Sequence, residues 1–459
     1  MTMSGLAFDV TCALQPACAA PGGLSAAALQ ATAARLDESR AAITRLVGQA
    51  GGSFLDLDPA AAAQAELPIV AAWDQLGIRS VLVLGIGGSS LGTRAVYEAM
   101  RRRAASPRRL LFLESIDPEQ TIELLDGLDL TTTGVVVVTK SGTTIETMST
   151  FFIVRERLLA ALGEGGYRAR VVAITDPAEG ALRRLASAES LMTLPVPPGV
   201  GGRYSVLTHV GTLPLRLAGI DVDALLSGAA EARDQFLEQP AASTPAGLFA
   251  AMQVALAANG CGDVVFMPYV PRLAALGDWF LQLWAESLGK KGADGVAIGP
   301  TPIGAVGPRD QHSLLQLFMD GPLQRNIVFL SVAEQIEEPR VPAAPAVCHE
   351  LAHIGDRPLH ETLQAELVGV EAALREAGRP TTRIVMERID EHVLGALLMT
   401  LKVATVLAGA LHHVDPFGQP GVELGKKFAH GVLGHEAYAS YRERLEAWER
   451  TADRTVVRV

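Results

Sequence analysis

Five short apolar runs, SVLVLGIGG, LLFLES, VVVVTKSG, RVVAITD and LMTLPVP, lie between residues 80 and 197 with helix-like segments between them. No other feature of the chain restricts its fold as much. An apolar run without polar alternation suits a strand covered on both faces, and strands that alternate with helices pair in parallel. A second series follows residue 220, with DVVFMPYVP, NIVFLSV and TTRIVMERID as strands between long Ala/Leu-rich helices. The pattern predicts an α/β chain with two mainly parallel sheets, each covered by helices on both faces. Of the 459 residues, 49% are hydrophobic and 19% charged, which supplies apolar material for two cores and excludes a disordered class.

The net charge of −11 argues against a nucleic-acid partner, so any anionic ligand must be held by local cations. Cys12, Cys18, Cys261 and Cys348 form no C-x-x-C pair and are too sparse for a disulfide scaffold, which fits reduced thiols in a cytoplasm. The first basic residue is Arg35, and Pro16, Pro21, Gly22 and Gly23 interrupt the uncharged start, so no secretory signal is expected. Two stretches low in charge, 240–262 and 392–411, contain Gln253 and Asn259 in the first and Lys402 at the centre of the second. Buried helices are expected there, not membrane spans.

In an open parallel sheet, ligands gather outside the carboxyl ends of the strands. The stretch VVVVTKSGTTIET, Val135–Thr147, ends a strand in four hydroxyl residues, Thr139, Ser141, Thr143 and Thr144, together with Lys140 and Gly142. Free backbone N–H groups and the positive end of the following helix attract an anion at such a turn, and phosphate is the natural candidate. One Ser or Thr at a helix start is ordinarily a cap, but a cap needs only one hydroxyl. The loop LGIGGSSLG, Leu84–Gly92, matches G-x-G-x-x-G at Gly85 and Gly87 and departs from it at Ser90, although Glu114 ends the next strand as a ribose-binding acid would. A dinucleotide, a small phosphate or sugar, and a plain tight turn all remain open for that loop. CHELAH, Cys348–His353, contains the zinc-protease pattern H-E-x-x-H, but the Pro-rich run before it and Gly355 and Pro358 after it leave too little helix, so coincidence is expected and no metal is assigned.

Five segments taken together, GIGGSSLG (85–92), TKSGTTIET (139–147), GVGGRYSV (199–206), WAESLGKKG (284–292) and PFGQPGVELGK (416–426), resemble the phosphoglucose isomerase family in order and spacing, over about residues 75 to 430. The VGGRYS and QPGVELGK segments are the most specific. The resemblance implies two sugar-isomerase (SIS) domains, each a mainly parallel sheet in a three-layer αβα sandwich. It divides the chain into an N-terminal helical segment (1–50), a first SIS domain (51–220), a second (221–410) and a C-terminal helical extension (411–459) that contributes to the active site. The implied activity is the interconversion of glucose 6-phosphate and fructose 6-phosphate, with no metal and no organic cofactor, in a cytoplasmic homodimer.

An aldose–ketose shift needs one carboxylate to carry a proton between C1 and C2. DWFLQLWAESLGKK is expected to form a helix with Gln282 and Glu286 one turn apart on one face, and the resemblance puts the family's catalytic glutamate on Glu286. It makes Arg203 the cation beside the enediolate, with Gly202 allowing close backbone approach. His312 in QHSLLQL and Lys426 in VELGK fall on the ring-opening residues, Glu146 on the acid that orients the histidine, and His312 is expected to come from the neighbouring subunit. Gly88, Ser89, Thr139, Lys140, Ser141, Thr143 and Thr144 are expected to hold phosphate, and Gln282 and Gln419 to line the site. Thr139, Leu288 and Gly418 depart from the family pattern, where Ser, Asn and Asp are usual. Activity on mannose 6-phosphate, or a non-catalytic sugar-phosphate-binding regulator, are the competing expectations. Retention of Glu286, Arg203, His312 and Lys426 weighs against the regulator.

Overall fold

The computed structural model describes residues 5–37, 53–106, 108–292, 295–335, 337–451 and 455–456. β1 (Leu6–Asp9) edges one sheet, while β2 (Ser80–Leu84), β3 (Arg109–Leu113), β4 (Thr133–Val138), β5 (Val171–Thr175) and β6 (Met192–Pro195) make up another. The order of that first sheet is β3-β2-β4-β5-β6, with all neighbours parallel. Every position of β2, β4 and β5 is buried, as their unbroken apolar runs require when helices cover both faces.

The second sheet contains β7 (Asp263–Pro268), β10 (Pro302–Gly304), β11 (Arg325–Val332) and β12 (Thr381–Met386). A two-stranded ribbon, β8 (Lys290–Lys291) with β9 (Ala297–Ile298), stands apart from it. The order is β1-β12-β11-β7-β10, parallel except for β1, which runs antiparallel to β12 with Leu6 opposite Met386. Of the segment expected to be helical before residue 50, Leu6–Asp9 is thus a strand and Ala26–Ala33 a helix, while residues 38–50 lie outside the described residues.

Both sheets reverse direction at the same place in their order. In the first, the chain passes from β2 outward to β3, then returns across β2 to β4, so the loops after β2 and β4 flank the reversal. In the second, it passes from β7 to β10 and returns across β7 to β11. The two halves therefore repeat one plan, and each has its reversal point, where such sheets bind ligands, at the carboxyl ends of two neighbouring strands, β2 and β4 in one and β7 and β11 in the other.

The helix Glu391–Leu411 is long and apolar enough to cross a membrane, but 94% of its most apolar window is buried inside the protein. It packs against the helices Val222–Glu238 and Pro245–Ala258. At the first crossing the backbones nearly touch: a Cβ on Gly395 would fall 1.8 Å from the Leu225 carbonyl oxygen, and one on Gly228 would fall 1.9 Å from that of His392. Only glycine permits that approach. Nearby, the fully buried Glu66 on the helix Pro59–Gln75 accepts hydrogen bonds from His209 Nδ1 (2.7 Å), the Thr212 hydroxyl and Arg216 Nε (3.0 Å). A buried carboxylate is tolerated when its oxygens are so occupied, and this one clamps the helix His209–Leu217 that follows the GVGGRYSV turn.

The C-terminal residues from Phe417 onward form a separate compact unit. In it the helices Glu423–Val432 and Ala439–Thr451 pack together, with Phe428 edge-on to Tyr441 at 5.3 Å.

Candidate active site

The loop after β4 leads into the helix Ile145–Arg170, which is broken at Gly163. Thr144 occupies the N-cap position, yet its side chain makes no capping bond. Its hydroxyl instead meets the Thr139 hydroxyl at 3.0 Å, and Thr139 Oγ1 also accepts from the Gly142 N–H at 3.2 Å. The Thr143 hydroxyl donates to Ser141 Oγ at 3.1 Å. The hydroxyls thus hold one another in a nest and leave the helix end open to an anion, which plain capping would have closed. Lys140 donates to the carbonyls of Pro198 (2.5 Å) and Val200 (3.1 Å), tying this loop to the GVGG turn. Burial pushes its pKa down, and Asp176 opposes that shift.

The loop after β2 turns through Gly87–Ser89 against the Gly202–Leu207 turn. A Cβ on Gly88 would lie 2.1 Å from the Gly202 carbonyl carbon, and Ser205 Oγ bridges the two turns by donating to the carbonyls of Gly88 (3.2 Å) and Gly202 (2.7 Å). The glycines here are needed by backbone packing. Glu114, which imitated a ribose-binding acid, is ion-paired to Arg94 at 3.0 Å. The Ser89 hydroxyl makes no hydrogen bond among the described residues.

Arg203 is 2% exposed, and its guanidinium is fixed on three sides. Nε donates to Ser287 Oγ at 2.8 Å, Nη1 to Glu286 Oε2 at 3.2 Å, and Nη2 to the Pro416 carbonyl at 2.6 Å. The Tyr204 hydroxyl meets Ser287 Oγ at 3.0 Å, and burial raises its pKa to about 12, so it stays a neutral hydrogen-bonding group. Lys290 Nζ donates to the Asp415 carbonyl; burial, and then the nearby Arg203 charge, lower its pKa. Ser287 escapes sequence reasoning as a partner of Arg203, because only the tertiary fold brings the two together. The adjacency of Ser287 to Glu286 was the one available signal.

Glu286 and Gln282 lie on one face of the helix Ala274–Leu288, as expected, with Gln282 Nε2 donating to Glu286 Oε1 at 3.4 Å. The Glu286 side chain keeps 30% exposure against 1% for Arg203, so the carboxylate faces open space while its cation is sealed behind it. Gln282 Oε1 is buried without a partner among the described residues. Such an arrangement can hold a polyhydroxylated ligand and exchange a proton with it beside a fixed positive charge.

No hydrogen bond or ion pair among the described residues joins His312 or Glu146 to Arg203 or Glu286. His312 ends the turn Arg309–His312, exposed, with no hydrogen bond among the described residues, and the half-buried Glu146 carboxylate likewise has no side-chain partner among them. Lys426 and Gln419 belong to the C-terminal unit, where Lys426 Nζ pairs with Glu423 Oε1 at 2.8 Å. The H-E-x-x-H stretch lies in 3₁₀ turns, Ala346–Ile354, interrupted at Cys348, with His349 exposed, so no α-helical face carries both histidines.

In sequence and in fold the chain is similar to known proteins. The sequence model of the family described as phosphoglucose isomerase matches residues 72–446. A glucose-6-phosphate isomerase of Rubrobacter xylanophilus is 42% identical over 370 residues, covering 79% of this chain and 84% of that one. A crystal structure of a hypothetical protein from Thermus thermophilus superposes with a TM-score of 0.83 at 32% identity, over 94% of this chain and 100% of that one. The fold is shared with a glucose-6-phosphate isomerase from Chlamydia trachomatis, with a TM-score of 0.78 at 23% identity over 94% and 90% of the two chains. The chain belongs to the phosphoglucose isomerase family, and its activity is the aldose–ketose isomerisation of glucose 6-phosphate and fructose 6-phosphate.

Proposed function

We propose that Glu286 is the proton carrier of this isomerisation. Its carboxylate takes the C2 proton of the open-chain aldose; the released electron pair forms the C1=C2 bond, and negative charge collects on the C1 oxygen. Arg203 neutralises that charge without moving, because Ser287 and the Pro416 carbonyl already hold its fork in place. A proton passes from the C2 oxygen to the C1 oxygen, and the Glu286 carboxyl returns its proton to C1, giving the ketose. Gln282 steadies the carboxylate, and the nest of Thr139, Ser141, Thr143 and Thr144, with Lys140, Gly88 and Ser89, grips the phosphate. The observation that carries this reading is the contrast between a sealed, triply held Arg203 and a partly open Glu286 bonded to it.

The working form is a cytoplasmic homodimer in which His312 of one subunit reaches Glu146 of the other and opens the sugar ring, with Lys426 and Gln419 completing the site. Two unpaired groups support this: an exposed His312 and a Glu146 carboxylate without a side-chain partner among the described residues. Exposed Phe152 and Ile153 follow Glu146 on the same helix. The four cysteines are free, consistent with a reducing compartment.

A coupled assay of fructose 6-phosphate conversion tests the reading. Glu286→Gln is expected to lower kcat by about a thousandfold or more while changing KM only a few-fold, and EDTA is expected to leave the unmodified chain unaffected. Near-normal turnover of the variant would remove Glu286 from the proton path.

A further inference from the structure

The crevice of the second sheet corresponds to the phosphate-gripping crevice of the first, yet no role is assigned to it. Its first loop, after β7, carries Arg272 in the turn Pro271–Leu273, immediately before the helix Ala274–Leu288. No side chain caps that helix start. The helix Leu91–Met100 packs against this turn, and Arg102 and Arg103 follow directly from its end. Arg103 Nη1 is anchored on the Ile389 carbonyl, just past β12, while its Nη2 is buried without a hydrogen-bond partner among the described residues. Arg102 pairs at 3.1 Å with Glu337, which follows β11. Loops from β7, β11 and β12 thus meet around three arginines.

Charge in this crevice is unbalanced. Arg272 is half-buried and makes no hydrogen bond or ion pair among the described residues. Burial, Arg103 and Arg102, in that order, lower its pKa, and Glu337 alone opposes them. The carboxylates nearby are already engaged: Glu337 by Arg102, and Asp278, one turn into the helix, by Arg94 at 2.9 Å. Three guanidinium groups against one carboxylate leave an excess of positive charge beside an uncapped helix start. Like charges crowded without a counterion cost free energy, and a bound dianion would relieve it.

We infer that the crevice at the carboxyl ends of β7 and β11 is a second anion site, in which Arg272, Arg103 and Arg102 bind a small phosphate-bearing ligand. Arg272 and Glu286 stand at opposite ends of one helix, about 20 Å apart at 1.5 Å per residue, so the site is distinct from the isomerase centre. The shared helix gives it a rigid connection to the catalytic carboxylate.

Equilibrium dialysis with radiolabelled inorganic phosphate tests this on the chain free of sugar phosphates, where the isomerase site and the second site each take one anion. The unmodified chain should bind about two phosphates per chain, Arg272→Gln should weaken one of the two by about tenfold or more and leave the other, and Arg272→Lys should recover part of the loss. Arg272→Gln should keep normal far-ultraviolet dichroism and a normal kcat/KM without phosphate, which separates loss of the ligand from loss of the fold. Binding of only about one phosphate per unmodified chain, or equal binding by Arg272→Gln and the unmodified chain, would overturn the inference.

Discussion

Arg203 and Lys402 are both cations shut away from water, and their surroundings treat them differently. Arg203 spends its donors on Ser287, Glu286 and the Pro416 carbonyl. Lys402, wholly buried in the helix Glu391–Leu411, has the Tyr204 carbonyl at 3.3 Å and the Phe54 ring at 5.4 Å. Burial lowers its pKa from 10.5 to about 7. Between those values the unfolded chain carries a proton that the folded chain lacks, so stability climbs as pH rises from about 7 to about 10.5, and below 7 this group adds no slope. Lys402→Met should abolish that slope and raise stability by about 3 kcal/mol at pH 8, measured by urea unfolding across that pH range. An unchanged slope would mean that the ammonium keeps its charge in the folded state. The sequence marked Lys402 as a reason to doubt a membrane span, and Glu286 and Arg203 through their motifs. It could not mark Lys402 as support for the Arg203 turn, because the contact joins positions 204 and 402 and has no local pattern.

At the scale of elements, the site depends on two turns pressed together. Gly88→Ala would drive a methyl group into the backbone of Gly202 and the Arg203 nitrogen, 2.1 and 2.5 Å away, and neither can yield as a flexible side chain would. Separation of the turns should cost about 1–3 kcal/mol of stability and about a hundredfold in kcat/KM, read from thermal unfolding and steady-state kinetics. Gly277→Ala, on the helix that carries Glu286 but with nothing within 4 Å of the added carbon, is the control and should leave kcat/KM unchanged while raising stability by about 0.5–1 kcal/mol. The central strands were legible because burial on both faces writes an unbroken apolar run. β1 and β10 were not: LAFD and PIG are too short to show a period, and each is placed at a sheet edge by a partner distant in sequence.

For the whole molecule, the shared-site proposal has a direct test. Glu286→Gln and His312→Ala chains, each inactive as a pure dimer toward cyclic substrate, are mixed after mild unfolding and refolded together. If the histidine crosses between subunits, half of the dimers are mixed and each has one intact site, so about a quarter of full activity should return. If each chain builds its own site, every site in the mixture carries a lesion and activity stays at the level of the separate variants. The duplicated sheet plan was visible in the sequence only as a repeated alternation of strand and helix, since the correspondence of the two crevices depends on strand order, and order is set by tertiary pairing.

The antiparallel pairing of Leu6–Asp9 with Thr381–Met386 imposes a sequence of events on the newborn chain. The first sheet can close as soon as residues 80 to 195 have left the ribosome, but its sister has to wait for β12 before its edge can be covered. Until then an early-made ribbon dangles with unmet amide and carbonyl groups beside a finished neighbour, and slow closure of so long a loop makes that interval the time when chaperones would matter most to this chain.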